Sequence, residues 1–430
     1  MFTASQLINQ IPENYKKDLY FISSKINEFG YESYIIGGSV RDLILGKNPH
    51  EYDIATSAHP EEIKKIFKRV IETGIQHGTV TILLGDNTYE VTTYRKDMDY
   101  TDGRRPDKIE FGASLSEDMK RRDFTMNAIA LDLISETLID ENNGIEDINN
   151  KIIRTIGDPI NRFGEDGLRP IRAIRFLSTL GFKIESKTYN AIYLTRNITE
   201  KISKERFHDE LNKIISSQNP FIGLYELITN KIFELFTNQP IKTNPNLEHL
   251  KNIEKLEVTP LGLRLAFLLD TIFENSKDPN LILKELRYSK TNIKDCLFYL
   301  DLFEQNYQIN KMNIQEMRQF LSKLFYYTGK REIDSITKGF FSYLRIFFDD
   351  KNLQDFETST VQVYNSNSAL ILKDLVVNGN KILEKFPDID KRKIGGILQT
   401  ILNRVLEEPE FNKEETIYKF IENLNTENVI

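Results

Sequence analysis

The chain of 430 residues contains no tryptophan, a single cysteine and only five histidines. Because Cys296 has no possible partner in the chain, an intramolecular disulfide framework is excluded, which fits a reducing cytoplasm. The histidines include no pair at the spacing of metal ligands. This absence argues against a zinc site and against a His-rich phosphohydrolase site.

Long apolar runs are also missing. The segment LGLRLAFLLDTIF at 261–273 is too short for a membrane span and contains Arg264 and Asp270. The N-terminal residues lack the basic start and the apolar centre of a secretory signal. We therefore expect a cytoplasmic protein with no membrane partner.

An excess of positive charge is absent too. With 57 basic and 64 acidic residues the formal net charge is −7, which argues against non-specific coating of DNA. A nucleic-acid partner would need a local basic surface. The apolar and charged fractions of 40% and 28% are ordinary for a globular protein, and the length favours more than one domain. Nothing in the sequence reports the oligomeric state.

The first 140 residues alternate between helical and strand-like patterns. Helices are predicted over 3–30 and 59–67. Strand-like patterns fall at 33–37, 51–55, 79–84, 88–94 and 107–111, and the middle ones predict a hairpin. This region is expected to form an α/β head with a small mixed or antiparallel sheet.

Beyond residue 140 the strand patterns stop. Helical periodicity is found at 165–180, 186–198, 203–217, 220–236, 248–257 and 260–276. The remaining chain to residue 430 continues similarly, with breaks at Gly329, Gly379 and Pro387. The expected architecture is an α/β head followed by a long helical region.

Residues 35–56 carry the most informative pattern. A strand runs into Gly37-Gly38 and a short helix with Arg41, and a second strand follows with Glu51 and Asp53. Glycines at a helix start allow backbone N–H groups to approach a phosphate. Residues i and i+2 of a strand share a face, so the two carboxylates would jointly hold hard divalent cations. Each feature alone is common in α/β proteins, but their combination indicates metal-assisted nucleotidyl transfer.

A third carboxylate follows on another predicted strand. Glu90 would lie near Glu51 and Asp53, although a surface strand residue is an alternative of similar weight. The highly charged segment 95–107 after it is typical of a mobile loop.

Arg121-Arg122-Asp123 precedes an apolar-periodic run that contains Asn127. The basic pair is therefore predicted near a helix start, where arginine forks would bind triphosphate or ribose. A solvated charged turn is the alternative for this segment taken alone.

A polar stripe is predicted on the helix within 160–182. Asp166, Arg169, Arg172 and Arg175 follow one another at i, i+3 spacing, opposite an apolar face. In the functional interpretation Asp166 accepts from a base edge and Arg169 donates to it, while the other arginines reach phosphates. A surface helix with ion pairs is the alternative.

Several motifs occur together in a fixed order over residues 34–182: GGSVRD, an acidic strand ending DIATSA, GIQHGTV, EVTTYR, RRDFTMNA and EDGLRPIRAIRF. Their number and order resemble class II tRNA nucleotidyltransferases, the CCA-adding enzymes, a branch shared with bacterial poly(A) polymerases. ISKERFHDEL at 202–211 extends the likeness. The rest of the chain matches only in being helical.

The resemblance implies a multidomain α+β/α protein. A polymerase-β-like nucleotidyltransferase palm with a small mixed sheet would form the head, over residues 1–140. All-α parts would follow as a nucleotide-selecting neck at 141–217, a body at 218–300 and a tRNA-binding tail at 301–430. The basic, aromatic stretch from Arg318 to Arg331 is one candidate tRNA contact, although aromatics at helical spacing are more often core.

The resemblance also implies roles for residues in the head. Gly37, Gly38 and Arg41 would bind the incoming triphosphate, and Arg122 would contact the nucleotide. The catalytic, metal-binding residues would be Glu51 and Asp53, with Glu90 as a weaker third ligand for Mg²⁺ or Mn²⁺.

In the neck, the resemblance implies that Asp166 and Arg169 pair with the base edge of CTP or ATP. Arg172 and Arg175 would bind the nucleotide nearby. The start of the next helix would support this neck, through Ser203, Glu205 and Arg206.

One position departs from the family pattern. The family has Asp-x-Asp, whereas this chain has Glu51-Tyr52-Asp53. Because glutamate is longer by one methylene, its carboxylate must fold back to keep the tight octahedral geometry of Mg²⁺. We expect reduced or Mn²⁺-favouring activity rather than inactivity. In the alternative, Glu51 is not a ligand and Asp53 works with Glu90.

The implied function is template-independent addition of C, C and A to the tRNA 3′ end from CTP and ATP, with release of pyrophosphate. The reaction would be a two-metal nucleotidyl transfer. Addition of A alone and poly(A) synthesis are the alternatives within the enzyme class, and a CC-adding enzyme would lack the loop at 95–107. A non-catalytic binder of the tRNA end, inactivated through Glu51, is the alternative outside that class.

Overall fold

The computed structural model describes residues 3–98, 108–237, 239–274, 278–304, 312–329, 335–366 and 368–426. The chain forms two compact units. The first contains residues 1–243 and 276–288, and the second contains residues 244–275 and 289–430. The expected architecture of a head with a mixed sheet followed by helices is confirmed. The four-part division into head, neck, body and tail stays a prediction.

The first unit begins with two helices, α1 (Ala4–Gln10) and α2 (Glu13–Glu28). The prediction of one helix over 3–30 was wrong because Pro12 interrupts it. The residue before a proline is disfavoured in the helical conformation, and Ile11 is extended. Apolar residues on one face of α2 are buried, among them Leu19 and Ile22.

A seven-stranded mixed sheet forms the core of this unit. Its strands are β1 (Ser33–Ile36), β2 (Asp53–Thr56), β3 (Val70–Gly74), β4 (Thr79–Leu84), β5 (Asn87–Thr93), β8 (Ala130–Asp132) and β9 (Thr137–Ile139). They lie in the order β3-β4-β5-β2-β1-β8-β9. β2 and β5 are parallel, and the other neighbours are antiparallel.

The predicted hairpin is confirmed as β4 and β5, which pair from Thr79 to Leu84. The expected strand at 51–55 begins only at Asp53, so Glu51 lies outside it. β3, β8 and β9 were not predicted. β3 is an edge strand with mostly exposed residues, and the other two contain three residues each, which leaves little alternation to detect.

A two-stranded ribbon follows the sheet segment. Its strands are β6 (Arg95–Met98) and β7 (Lys108–Phe111), which pair antiparallel. The predicted loop at 95–107 was therefore wrong at its start, and residues 99–107 lie outside the described residues.

Short helices connect the strands: α3 (Gly38–Ile44), α4 (Pro60–Ile66) and α5 (Leu115–Lys120). The basic pair Arg121-Arg122 directly follows α5 and precedes the 3-10 turn Thr125–Asn127. The prediction that this pair lies near a helix start was wrong. It lies at a helix C-terminus, where the carbonyl end of the helix dipole favours cations.

The helical part of the first unit contains α6 (Gly144–Asn149), α7 (Pro159–Glu165), α8 (Leu168–Leu180), α9 (Ser186–Leu194), α10 (Arg196–Thr199), α11 (Lys204–Ile215), α12 (Pro220–Thr229) and α15 (Pro279–Glu285). The expectation that strands stop after residue 140 was wrong in one detail. β10 (Ile152–Ile153) and β11 (Lys183–Ile184) form a short parallel pair. α8 packs against both α11 and α12.

The described part of the second unit is helical. Its helices are α13 (Leu247–Leu250), α14 (Leu261–Ile272), α16 (Lys290–Glu304), α17 (Ile314–Thr328), α18 (Ser335–Leu344), α19 (Asp350–Asn365), α20 (Gly379–Lys385), α21 (Ile394–Glu407) and α22 (Glu414–Thr426). α14 is apolar on most sides and is buried against α16. Within the described residues, every helix is too short or too polar to cross a membrane.

Candidate active site

The turn from β1 into α3 has a backbone conformation that requires glycine. Gly37 has φ +83° and ψ −135°, a region that side chains with a Cβ rarely adopt. Its carbonyl accepts the first hydrogen bond of α3 from the Arg41 amide at 3.3 Å. The predicted glycine turn at a helix start is therefore present.

Three of the predicted residues meet at this turn. A Cβ placed on Gly37 would lie 3.5 Å from Nη1 of Arg122 and 3.8 Å from Oδ2 of Asp53. An arginine and a carboxylate from distant parts of the sequence therefore face the same glycine backbone. Such a group of fixed charges beside backbone N–H donors suits a metal–phosphate complex.

The carboxylate of Asp53 has an acidic neighbour on the next strand. In the parallel register of β2 and β5, Asp53 lies directly beside Glu90. Residues that are paired across adjacent strands point to the same face. The side chain of Asp53 keeps contact with solvent, yet desolvation by the surrounding protein and repulsion from Glu90 raise its pKa to about 6 against the opposing effect of Arg122. Glu51 adds a smaller repulsion.

Glu51 itself is exposed and precedes β2 by two residues. The argument from strand alternation therefore fails for Glu51, although its charge still acts on Asp53. In the described residues there is no group of three acidic, histidine or cysteine side chains arranged to hold a metal. The pair Asp53 and Glu90 nevertheless fits a divalent cation, since Mg²⁺ is commonly held by one or two carboxylates together with substrate phosphates.

Arg122 is held in place by a buried carboxylate. Asp118 is 1% exposed and accepts from Nη2 of Arg122 at 3.1 Å and from Nη2 of Arg121 at 2.7 Å. Despite burial, the two arginines keep the pKa of Asp118 below its usual value. Nε of Arg122 is buried and has no hydrogen-bond partner in the described part of the chain.

Arg41 is directed by its own helix and by the 3-10 turn. Its Nε and Nη2 donate to Asp42 Oδ1 at 2.9 and 2.8 Å, and its Nη1 donates to Oδ1 of Asn127 at 2.7 Å. The side chain is largely buried. Asn127 also donates to Oδ1 of Asp123 at 3.2 Å, so the 3-10 turn connects the Arg41 guanidinium to the Asp123 carboxylate through hydrogen bonds.

Asp123 joins the head to helix α8. Its Oδ2 accepts from Nε of Arg172 at 2.7 Å, and its Oδ1 accepts from the Phe124 amide at 2.8 Å. Burial disfavours the charged carboxylate, but Arg172, Asn127 and Arg169 outweigh it and hold the pKa of Asp123 at about 2. Asp123 and Arg172 therefore form a partly buried ion pair in which the carboxylate is charged at neutral pH.

The acidic start of the predicted stripe is not helical. Asp166 lies between the end of α7 and the start of α8, so the single helix predicted over 165–180 was wrong at its start. Its carboxylate accepts two hydrogen bonds from Arg206, at 3.1 and 2.7 Å. It also accepts from the Leu168 amide. Ser203 caps α11 and thereby fixes the start of the helix that carries Arg206.

The arginines of α8 are buried or partly buried rather than fully solvated. Arg169 donates to the carboxylate of Glu165, to the carbonyl of Arg162 at 2.8 Å and to the carbonyl of Arg121 at 3.0 Å. Arg175 donates through Nε to Glu210 at 2.5 Å. The alternative of an exposed, ion-paired surface helix does not describe α8, because its charged side packs against α11 and the segment of the basic pair.

The sequence reasoning missed three residues that orient the predicted ones: Asp118, Glu165 and Glu210. Two of them carried a usable signal. Asp118 precedes Arg122 by four residues and Glu165 precedes Arg169 by four, the spacing of helical ion pairs. Glu210 lies 35 residues from its partner, so no local pattern reports it.

Outside this site, the basic, aromatic stretch of α17 is mostly core, as the burial argument favoured. Phe320 and Phe325 are buried, whereas Tyr326 is exposed. Arg331 lies outside the described residues. Glu205 pairs with Arg287 at 2.9 Å on the surface of the first unit.

Family models match two parts of the chain. Residues 33–154 match the poly A polymerase head domain, and residues 181–240 match a probable RNA and SrmB-binding site of polymerase A. The first match contains the glycine turn, Asp53 and Arg122, and the second contains α11.

Curated relatives are similar over nearly the whole chain or over about half of it. The CCA-adding enzyme of Ligilactobacillus salivarius is 37% identical over 408 residues, 94% of either chain. That of Enterococcus faecalis is 49% identical over 227 residues, 53% of this chain and 55% of its own. The crystal structure of the Bacillus stearothermophilus CCA-adding enzyme in complex with CTP has a TM-score of 0.76 at 26% identity and covers 96% of this chain and 98% of that chain.

Proposed function

Because this chain belongs to the family of CCA-adding enzymes, we propose that it builds the tRNA 3′ end by adding C, C and A from CTP and ATP. No nucleic-acid template is needed, since the protein itself selects the nucleotide. The observation that carries the proposal is the meeting of Gly37, Asp53 and Arg122 at the start of α3. A glycine backbone, a carboxylate and an arginine at one place suit a nucleoside triphosphate with a divalent metal.

The family uses divalent metal ions, and the residues that would hold one here are Asp53 and Glu90, with Glu51 close enough to add its charge. A bound divalent ion would supply Lewis-acid activation of the attacking 3′-hydroxyl and neutralisation of the leaving pyrophosphate. We assign Mg²⁺ as the ion, with Mn²⁺ as the substitute that tolerates Glu51 better. The raised pKa of Asp53 fits this role, because a bound cation would offset both the desolvation of its carboxylate and the repulsion from Glu90.

The triphosphate would be bound by Gly37, Gly38, Arg41 and Arg122. Arg122 faces the glycine turn and is fixed by Asp118, so its orientation needs little change on binding. Guanidinium groups held in advance stabilise charge on the transferred phosphate and align it for in-line attack. Arg172 and Arg175, both on α8, would add further positive charge around the triphosphate.

The base would be selected by Asp166 and Arg169. A carboxylate accepts from the exocyclic amino group that C and A share, and an arginine donates to ring nitrogen or carbonyl acceptors. Arg206 holds the carboxylate of Asp166 and the Arg121 carbonyl holds Arg169, which fixes both side chains relative to each other. This rigidity supports selection by the protein alone.

We propose that residues 1–140 act as the catalytic head and 141–217 as the neck that reads the base. Residues 218–300 would form a body, and 301–430 a tail that contacts tRNA. Structured RNA is recognised mostly by its shape and backbone, so the tail would contact the tRNA backbone rather than recognise its base sequence.

A product-length assay tests the function. Purified protein is given tRNAs that end before CCA, after C and after CC, with CTP and ATP separately and together, in Mg²⁺ and in Mn²⁺. We expect three nucleotides and then a stop. Addition of A alone would identify an A-adding enzyme, and long A tails a poly(A) polymerase. No incorporation in either metal, with tRNA still bound, would refute the enzymatic function.

A further inference from the structure

One buried ring contacts three of the arginines that line the candidate active site. The guanidinium carbons of Arg41, Arg172 and Arg175 lie 5.2, 5.7 and 3.8 Å from the ring centroid of Phe176. Phe176 is 3% exposed. No comparable group of three cations around one ring occurs among the described residues.

We propose that Phe176 is a positioning residue that gathers these three arginines to form the triphosphate-binding surface. The proposal rests on the proposed function and extends it to a residue that touches neither base nor phosphate. Phe176 follows Arg172 by one helical turn on α8, so both side chains share a face. Arg41 comes from α3 of the sheet-bearing part. The ring therefore joins cations from two separate elements.

Three guanidinium groups in one place repel one another unless something offsets their charge. Each is paired with one carboxylate: Asp42 holds Arg41, Asp123 holds Arg172, and Glu210 holds Arg175. Asp42 lies on α3 and Glu210 on α11, whereas Asp123 lies in the loop between α5 and the 3-10 turn. Ring faces carry negative electrostatic potential, and guanidinium groups within about 6 Å of a ring centroid are attracted to it.

The orientation of the ring is itself fixed. Phe124 packs edge-on against Phe176 with centroids 5.6 Å apart and planes at 86°. Phe124 follows Asp123 directly, and Asn127 of the same segment holds Arg41. The segment that positions two of the arginines thus also holds the ring that attracts them. An aliphatic side chain would fill this space without the attractive face.

The arginines that contact the Phe176 ring keep N–H donors that are available to a ligand. In the described structure Arg175 donates only through Nε, to Glu210, and a guanidinium carries five N–H groups. A triphosphate would engage the remaining donors while the ring and carboxylates hold the cations at their present positions. Loss of the ring would therefore weaken nucleotide binding more than the chemical step.

The test compares Phe176→Leu with Phe176→Tyr, which keeps the ring. Steady-state addition of A to a CC-ended tRNA and of C to an unextended tRNA gives KM and kcat for each nucleotide. We expect Phe176→Leu to raise KM for both ATP and CTP by about three- to tenfold, with kcat changed less than about twofold. Phe176→Tyr should restore most of the nucleotide affinity.

Phe233→Leu is the matched control, because Phe233 is equally buried in the same unit and lies in the 3-10 turn after α12 rather than in the arginine cluster. It should lower the melting temperature similarly without changing KM. Equilibrium binding of CTP in EDTA provides a second measurement, free of turnover and metal. Phe176→Met replaces Phe176→Leu if the latter does not fold, since methionine fills the space without a ring.

Equal KM values for wild type and Phe176→Leu, or the same rise in KM for Phe233→Leu, would refute the positioning role. So would failure of Phe176→Tyr to restore affinity. An inactive wild type in the same assay would instead refute the proposed function, so the two failures are distinguishable.

Discussion

Glu51 is the residue at which this chain differs from the Asp-x-Asp pattern implied by the family resemblance. It is exposed, precedes β2 and acts electrostatically on Asp53. We predict that Glu51→Asp raises Mg²⁺-supported activity several-fold and lowers the ratio of Mn²⁺ to Mg²⁺ activity, because the shorter side chain suits octahedral Mg²⁺ geometry. The measurement is kcat for A addition in each metal.

Glu90→Gln is the companion variant, since it removes one negative charge from the carboxylate beside Asp53. It should lower activity in both metals by at least about a hundredfold, because loss of a direct ligand should cost no less than the roughly 10- to 100-fold that follows loss of a ligand's outer-shell partner. If Glu51→Asp left both activities unchanged while Glu90→Gln abolished them, Glu51 would contribute nothing to the metal site formed by Asp53 and Glu90, and the first prediction would be wrong.

The ion pair of Asp123 with Arg172 makes the stability of the fold depend on pH in the acid range. Its pKa is about 2 in the folded chain, below the ordinary value of 3.8, so the carboxylate stabilises the fold fully above that ordinary value. This stabilisation is lost as the pH falls from about 4 through about 2. From the shift, the contribution at neutral pH is about 2 kcal/mol.

We predict that Asp123→Asn lowers the free energy of unfolding by about 2 kcal/mol at pH 7 and that the difference from wild type shrinks below pH 4. Urea unfolding from pH 7 to pH 3 measures it. Asp209→Asn is the control, because it removes an exposed carboxylate from α11. A difference that stays constant over the whole pH range would show that the ion pair is not its source.

Among the elements, the turn between β1 and α3 is constrained to glycine at a position that borders the candidate active site. Gly37 has φ +83° and faces Arg122 and Asp53. We predict that Gly37→Ala costs about 1–3 kcal/mol of stability through backbone strain and also raises KM for CTP and ATP, because the turn must move from its position. Thermal unfolding and steady-state kinetics together test both effects.

Gly85→Ala provides the comparison, since Gly85 also has a positive φ and lies in the β4–β5 turn, where a Cβ would have open space. It should lose stability through the same kind of strain while nucleotide KM stays unchanged. A similar rise in KM for both variants would mean that general loosening of the sheet, not the Gly37 turn, controls binding.

The elements also show what the sequence alone could predict. The hairpin β4–β5 and the glycine turn follow from alternation and from glycine chemistry, which are local. β8 and β9, with three residues each, depend on pairing with β1 and with each other. The start of β2 could not be placed either, so Glu51 was assigned to a strand that begins after it. The contacts of Phe176 with Arg41 depend on tertiary packing, which no spacing reports.

At the scale of the whole molecule, the chain divides into two compact units. The first unit contains every predicted site residue, and it includes residues 276–288 although they follow the start of the second unit in the chain. His208 of α11 contacts the Leu286 carbonyl at 2.8 Å, and Lys204 lies 3.8 Å from Glu285. These contacts should stabilise the segment that contains α15 together with α11, the helix that carries Arg206.

Hydrogen exchange with and without CTP and divalent metal tests this organisation. A ligand that binds only the folded first unit stabilises it by mass action, so its amides should exchange more slowly. We predict that amides of α15 gain protection together with those of α8 and α11, while amides of α16, only a few residues later in the chain, do not. If the amides of α15 and α16 responded alike, the stability of α15 would follow that of the second unit. The contacts of His208 and Lys204 with the α15 segment would then contribute little to the coupling between nucleotide binding and the structure around Arg206.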